Sequence, residues 1–266
     1  MVGAMRVVVA GGTGLIGSRV AARLRSQGHE VVEASRATGV NTYTAEGLEQ
    51  ALAGAEVLID VTNSGYFDER AATDFFYAST LNLLTYGRAA GVTHHVALSV
   101  VGTDRLAASE GGYFAAKAAQ EQLIRDSGRQ YTIVHSTQFF EFVKSIADAA
   151  TVGHNVRLSR ALIQPIAADD VAAFIARVAV EPPRNATIEI AGPERFRLEE
   201  LVRQELGIRN DPRQVVADPL ARYFGARLEE DELLPGDGAE VAATRFGEWA
   251  QARTRTTGRV GAVVPA

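Results

Sequence analysis

The chain has 266 residues, enough for one large α/β domain, or a domain with a small lobe, and for the core either needs. A formal net charge of −5 offers no attraction to nucleic acid or to an anionic membrane surface. The absence of cysteine excludes disulfides and thiolate chemistry. With no apolar run of membrane-spanning length and no signal-peptide pattern, the expectation is a cytoplasmic protein acting on a small molecule.

The first element is the most informative. Val7, Val8 and Val9 form an apolar, β-branched run that ends in glycines at 11, 14 and 17, and a helix opens at Leu15–Ile16. A parallel strand covered on both faces reads this way. Glycines at its end let the backbone turn tightly and approach a pyrophosphate, towards which the next helix points unpaired N–H groups and its positive end. Gly11, Thr13, Gly14, Leu15, Ile16 and Gly17 are therefore the candidate dinucleotide cradle.

Strand and helix then alternate. Helix 15–27 carries Ile16, Val20 and Leu24 and stops at Gly28. A second strand covers Glu30–Ala34, and a short third strand is expected near Val40–Thr42. Helix 45–53, strand Val57–Val61, a long helix over 69–90, strand 96–101, a polar loop and helix 113–127 follow. Next come strand 131–135, helix 139–150, an extended Ile163–Ala167, a helix at 171–180 capped by Asp169 or Asp170, and strand 187–191. This order predicts a doubly wound, parallel, Rossmann-type sheet. After Gly192-Pro193 the charge rises, apolar runs shorten, and Asp-Pro and Pro-Gly pairs punctuate the chain. The expected organisation is a nucleotide-binding domain over 1–192, a small, mostly helical lobe over 193–250 with helices at 198–206, 219–228 and 239–250, and a flexible tail over 251–266.

Dinucleotide choice is read at the end of the second strand, where an acidic residue favours the free ribose 2′-hydroxyl. Here that end is Ser35-Arg36, and a guanidinium pairs with a 2′-phosphate. NADP(H) is the expected cofactor, with NAD(H) as the alternative if Glu33 reaches the ribose instead.

Tyr113 and Lys117 stand four residues apart on one helix face, in a chain whose 27 basic residues include only two lysines. An ammonium beside a phenol favours the phenolate and lowers its ionisation towards neutrality. Such a tyrosine can exchange a proton with a carbonyl oxygen while hydride moves at a nicotinamide. Ser99, at the preceding strand end, can hydrogen-bond the same oxygen.

These residues together resemble the short-chain dehydrogenase/reductase superfamily. The glycine spacing, with QFFEF (138–142), AADDVA (167–172) and IAGPERF (190–196), resembles its atypical, NmrA-like NAD(P)H-binding branch over about residues 5–200. The resemblance implies Gly11, Gly14 and Gly17 at the pyrophosphate, Arg36 at the 2′-phosphate, and Ser99, Tyr113 and Lys117 as proton-transfer machinery, with Lys117 also on the nicotinamide ribose. Three positions depart from the family pattern. Asn41 replaces an acidic residue at the adenine edge, Phe76 stands where many reductases have a relay asparagine, and His135 replaces an arginine.

Asn63 is expected at the cofactor, and Ser64, Tyr66, Gln138 and Phe139, after the fourth and sixth strands, are expected to line the substrate pocket. Phe139 fits a helix core equally well. His94, His95 and His154 lack ligand spacing, so no metal is expected. The leading reading is NADPH-dependent reduction of a small carbonyl or quinone-like compound. The alternatives are a non-catalytic NADP(H) redox sensor and a nicotinamide-dependent epimerase or dehydratase.

Overall fold

The computed structural model describes residues 3–65, 69–110 and 112–260. The first half of the chain runs β1 (Arg6–Ala10), α1 (Leu15–Ser26), β2 (Glu30–Ala34), α2 (Leu48–Leu52), β3 (Val57–Asp60), α3 (Glu69–Ala90), β4 (His94–Val100), α4 (Thr103–Glu110), α5 (Gly112–Asp126) and β5 (Tyr131–Ser136). The second half runs α6 (Val143–Ala149), β6 (Thr151–Val152), β7 (Asn155–Leu158), β8 (Leu162–Ile163), α7 (Ala168–Val180), β9 (Ala186–Ala191), β10 (Phe196–Arg197), α8 (Leu198–Ile208), β11 (Gln214–Ala217), β12 (Glu240–Val241) and α9 (Phe246–Val260).

Seven strands form one sheet in the order β12-β9-β5-β4-β3-β1-β2, and every pairing in it is parallel. The period-two alternation of the strands builds two separate cores. Val7, Val9, Ile59, Val96 and Val134 pack against α1 and α7 on one face. Val8, Leu58, Leu48, Leu52 and Leu83 pack with α2 and α3 on the other. The chain leaves β1 for β2 on one side and returns to β3 on the other, so the switch point that forms a ligand crevice lies at the carboxyl end of β1.

Several local expectations change. Val40–Thr42 makes no strand, only a single bridge from Asn41 to Glu46. The expected polar loop after β4 contains α4. Helix α7 begins at Ala168 with Ala167 as its N-cap, and Glu141 Oε2 accepts the Ala168 N–H at 3.2 Å; Asp169 and Asp170 lie inside the first turn, where carboxylates still favour the helix dipole. Asp169 pairs with Arg19, and Asp170 accepts the Thr244 N–H.

The C-terminal part is less helical than expected. Residues 219–228 form turns, β10 and β11 pair with β8 and β7, and β12 returns to the edge of the main sheet through Glu240↔Ile190. Helix α9 reaches Val260, through most of the stretch expected as a tail. A third core joins Leu106, Phe114, Phe140 and Ile146 to Leu201, Leu206, Tyr223 and Phe246. That packing crosses residue 192 in both directions. Among the described residues, no helix is long and apolar enough to cross a membrane.

Candidate cofactor and active site

The glycine loop is built to be empty of side chains. Gly11 has φ +80°, and a Cβ there would sit 2.9 Å from Val61 O. At Gly17 a Cβ would lie 2.2 Å from Gly11 O. Gly14 N donates to Gly11 O at 2.9 Å and closes the turn, and Gly14 then serves as the N-cap of α1 without any side-chain cap. With no acidic residue in the first turn, the N–H groups at Leu15, Ile16 and Gly17 face an anion site unopposed. Thr13 and Gly14 are exposed at its rim. Gly12, which sequence reasoning passed over, lets β2 approach: its Cβ would meet Glu33 Cα at 2.8 Å.

At the end of β2, Ser35 starts a tight turn, its N–H donating to Thr38 Oγ1 at 2.9 Å. Arg36 projects from that turn exposed and, among the described residues, has no carboxylate partner. Glu33, the competing candidate for the ribose, is held by Arg25. Asn41 uses its Oδ1 to accept the Tyr43 N–H at 3.0 Å.

The three candidate catalytic side chains stand in three separate hydrogen-bond networks. The half-buried Tyr113 donates its hydroxyl to Asn63 Oδ1 at 3.2 Å and stands edge-on to Phe76, ring centroids 5.9 Å apart. Lys117 Nζ, buried, donates to Leu98 O at 2.9 Å and to Gln120 Oε1, and lies 4.6 Å from the centroid of the same Phe76 ring. Phe76 thus touches both members of the pair. The expected lowering of the Tyr113 ionisation is not seen: burial pushes its phenol up to about 12. Burial also lowers Lys117, to about 8, against the pull of Asp60 and Glu121.

Ser99 is buried and donates its hydroxyl to Glu121 Oε1 at 2.5 Å. Glu121 also accepts from His135 Nε2 at 2.9 Å and from Arg125 at 2.7 Å. His135 reaches Glu189 on its other side, 3.8 Å away, and Glu189 accepts the Gly236 N–H at 2.6 Å. Burial disfavours both charges in this cluster, yet the mutual bonds win. They hold the Glu121 carboxyl below its ordinary range and raise His135 to about 9. Sequence reasoning missed Glu121, although its place on the buried face of α5 beside Gln120 and Ile124 carried the signal. It also missed Tyr223, a buried phenol whose ionisation rises through burial and through the nearby Tyr113. Phe224 and Gly225, both at positive φ, form the turn that delivers it.

Of the remaining expected pocket residues, Ser64 lies half-buried after β3, and Tyr66 falls outside the described residues. Phe139 is half-buried against Phe142 and the α1–α7 core. Gln138 is buried, with neither amide atom hydrogen-bonded. A side-chain-free cradle, an uncapped helix start and an Arg36 with no carboxylate partner among the described residues fit a dinucleotide phosphate, and the orphaned amide fits a polar group beyond it.

Residues 11–182 match the family model described as NAD(P)H-binding. The chain belongs to the NAD(P)H-binding family. No curated protein matches it. This NAD(P)H-binding chain shares its fold with a short-chain dehydrogenase/reductase superfamily protein from Agrobacterium tumefaciens with bound NAD (TM-score 0.67, 16% identity, covering 96% of this chain and 99% of that one). It also resembles DesIV, a dTDP-glucose 4,6-dehydratase from Streptomyces venezuelae (TM-score 0.69, 19% identity, 96% and 98% covered). A third similar structure is RMD from Pseudomonas aeruginosa complexed with NADPH (TM-score 0.64, 14% identity, 93% and 97% covered).

Proposed function

We propose that the protein is an NADPH-dependent reductase of a small carbonyl or quinone-like compound, with Tyr113 as the proton donor. The observation that carries this reading is the placement of Tyr113, whose hydroxyl donates to Asn63 Oδ1 at 3.2 Å just past the carboxyl end of β3. A phenol raised to about 12 is protonated at neutral pH. Reduction of a carbonyl needs an acid, because hydride arrival leaves negative charge on the oxygen. An epimerase or dehydratase that begins by oxidising an alcohol needs a base at that oxygen instead. The exposed Arg36, with no carboxylate partner among the described residues, supports NADP(H) over NAD(H).

When bound, the nicotinamide supplies the hydride. The chain's part is then to hold and protonate. The Gly11–Gly17 loop and α1 neutralise the pyrophosphate, and Arg36 pairs with the 2′-phosphate. Tyr113 breaks its hydrogen bond to Asn63 and passes its O–H proton to the nascent alkoxide, and solvent reprotonates the phenolate. Asn63, freed by that step, is placed to accept from the substrate or the ribose. Ser99 acts indirectly, by fixing Glu121 on the buried face of α5.

One observation favours a second reading, a redox sensor that binds NADP(H) without turnover. The Ser99 hydroxyl and the Lys117 ammonium are both engaged inside the protein. Steady-state NADPH oxidation over a panel of aldehydes, ketones and quinones separates the two. Turnover that vanishes in Tyr113→Phe supports the reductase. No turnover, together with different affinities for NADPH and NADP+, supports the sensor.

A further inference from the structure

Gln138 is the one described residue with two buried side-chain polar atoms, Nε2 and Oε1, that both lack a hydrogen-bond partner. It is 8% exposed. It lies two residues after β5, which runs between β4 and β9 in the sheet. The backbone around it is pinned. Thr137 N donates to Ile190 O at 3.1 Å, Ile166 N donates to Gln138 O at 2.9 Å, and Phe140 N donates to Ile166 O at 2.9 Å. The loop backbone is therefore fixed by its own hydrogen bonds, and the amide is held from water by burial. The neighbouring Thr137 hydroxyl is buried and unpartnered as well.

Buried polar groups without partners are rare, and such a group asks for an explanation. A carboxamide offers an N–H donor and a C=O acceptor side by side. Its best complement offers an acceptor and a donor at the same spacing, which describes another primary carboxamide. A dinucleotide with its phosphates on the β1 loop and its 2′-phosphate at Arg36 beyond β1 extends its other half towards β3, β4 and β5. The end of that half carries a carboxamide.

We infer that the Gln138 side chain pairs with the carboxamide of the nicotinamide and so sets the rotation of the ring, choosing the ring face turned to the substrate. The inference rests on the NADP(H) reading, and is independent of the carbonyl chemistry.

The test compares two ligands that differ only by the nicotinamide end, NADPH and 2′-phospho-ADP-ribose, on the wild type and on Gln138→Leu. The variant is expected to bind NADPH about tenfold more weakly and 2′-phospho-ADP-ribose with unchanged affinity. Equal weakening of both ligands overturns the inference, since the substitution then acts on the loop as a whole. No change in either overturns it too, since the amide then held only water. A second measurement needs no mutation: the NADP+ analogue with a carboxylate in place of the carboxamide is expected to bind the wild type about tenfold more weakly than NADP+, and equal affinity refutes the pairing. Wild type that binds neither NADPH nor 2′-phospho-ADP-ribose removes the NADP reading itself, and this inference with it.

Discussion

Tyr113 and Asn63 meet between the start of α5 and the end of β3, the tyrosine hydroxyl donating to Asn63 Oδ1 at 3.2 Å. The bond favours the protonated phenol and holds its oxygen beside Asn63, just past the carboxyl end of β3. Its partner across one helical turn, Lys117, is turned inward to Leu98 O. In the proposed reading, the pair is an acid with a lysine packed beneath it.

Replacing Tyr113 by Phe removes the acid and keeps the ring packing against Phe76 and Phe114. Reductive turnover is expected to fall by roughly 10²–10⁴-fold, with NADPH affinity within a factor of about two of wild type. Steady-state kinetics and fluorescence titration check both halves.

The high ionisation of Tyr113 also fixes a pH profile. The phenol is protonated below about 12, so its state should leave the rate of reduction unchanged from pH 6 to 9. The reverse oxidation, which needs the phenolate, should rise with pH over the same interval. A reductive rate that falls along a single ionisation near neutrality would place a lowered tyrosine in the site.

The Glu121–His135–Glu189 cluster predicts a pH-dependent stability. His135 is raised from 6.5 to about 9, so its contribution is complete below pH 6.5 and is lost as pH rises towards 9. Glu121 is lowered, so its share is present above its ordinary value and is lost as pH falls through the depressed one. Thermal melts should show stability declining between pH 7 and 9. His135→Gln should flatten that decline and cost roughly 3 kcal/mol at pH 6.5, because the Glu121 charge stays buried with one cationic partner fewer.

Gly17→Ala brings a methyl to 2.2 Å from Gly11 O, a backbone atom that cannot rotate away. The loop must open, at a cost of roughly 1–3 kcal/mol, and the cradle loses its shape. A lowered melting temperature together with weakened NADPH binding is the expected result; unchanged binding would detach the loop from the cofactor.

What could be read in the sequence was what local chemistry determines. The valine run, the glycines at 11, 14 and 17, and the strand–helix alternation announced the parallel sheet, because each buried strand and each tight turn needs those residue types in place. Helix α4 was hidden because Thr103–Glu110 is short and mostly polar. The stretch 219–228 looked helical by composition, but Tyr223 and Ala226 bridge each other and Phe224 takes positive φ, which turns the chain. Ser99, Tyr113 and Lys117 were visible as residues, whereas their partners were not. Glu121, His135 and Glu189 come together only through the order of β4, β5 and β9, and Tyr223 arrives from more distant chain. Whether a lysine tunes a tyrosine or packs beneath it depends on such neighbours, here Phe76, Gln120 and Leu98.

The most direct test is a titration of the purified protein with NADPH and NADH, repeated on Arg36→Asp. The account predicts that NADPH binds the wild type at least about tenfold more tightly than NADH, and that the variant loses this preference while keeping its NADH affinity. Equal affinities in the wild type, or equal losses in the variant, would contradict it.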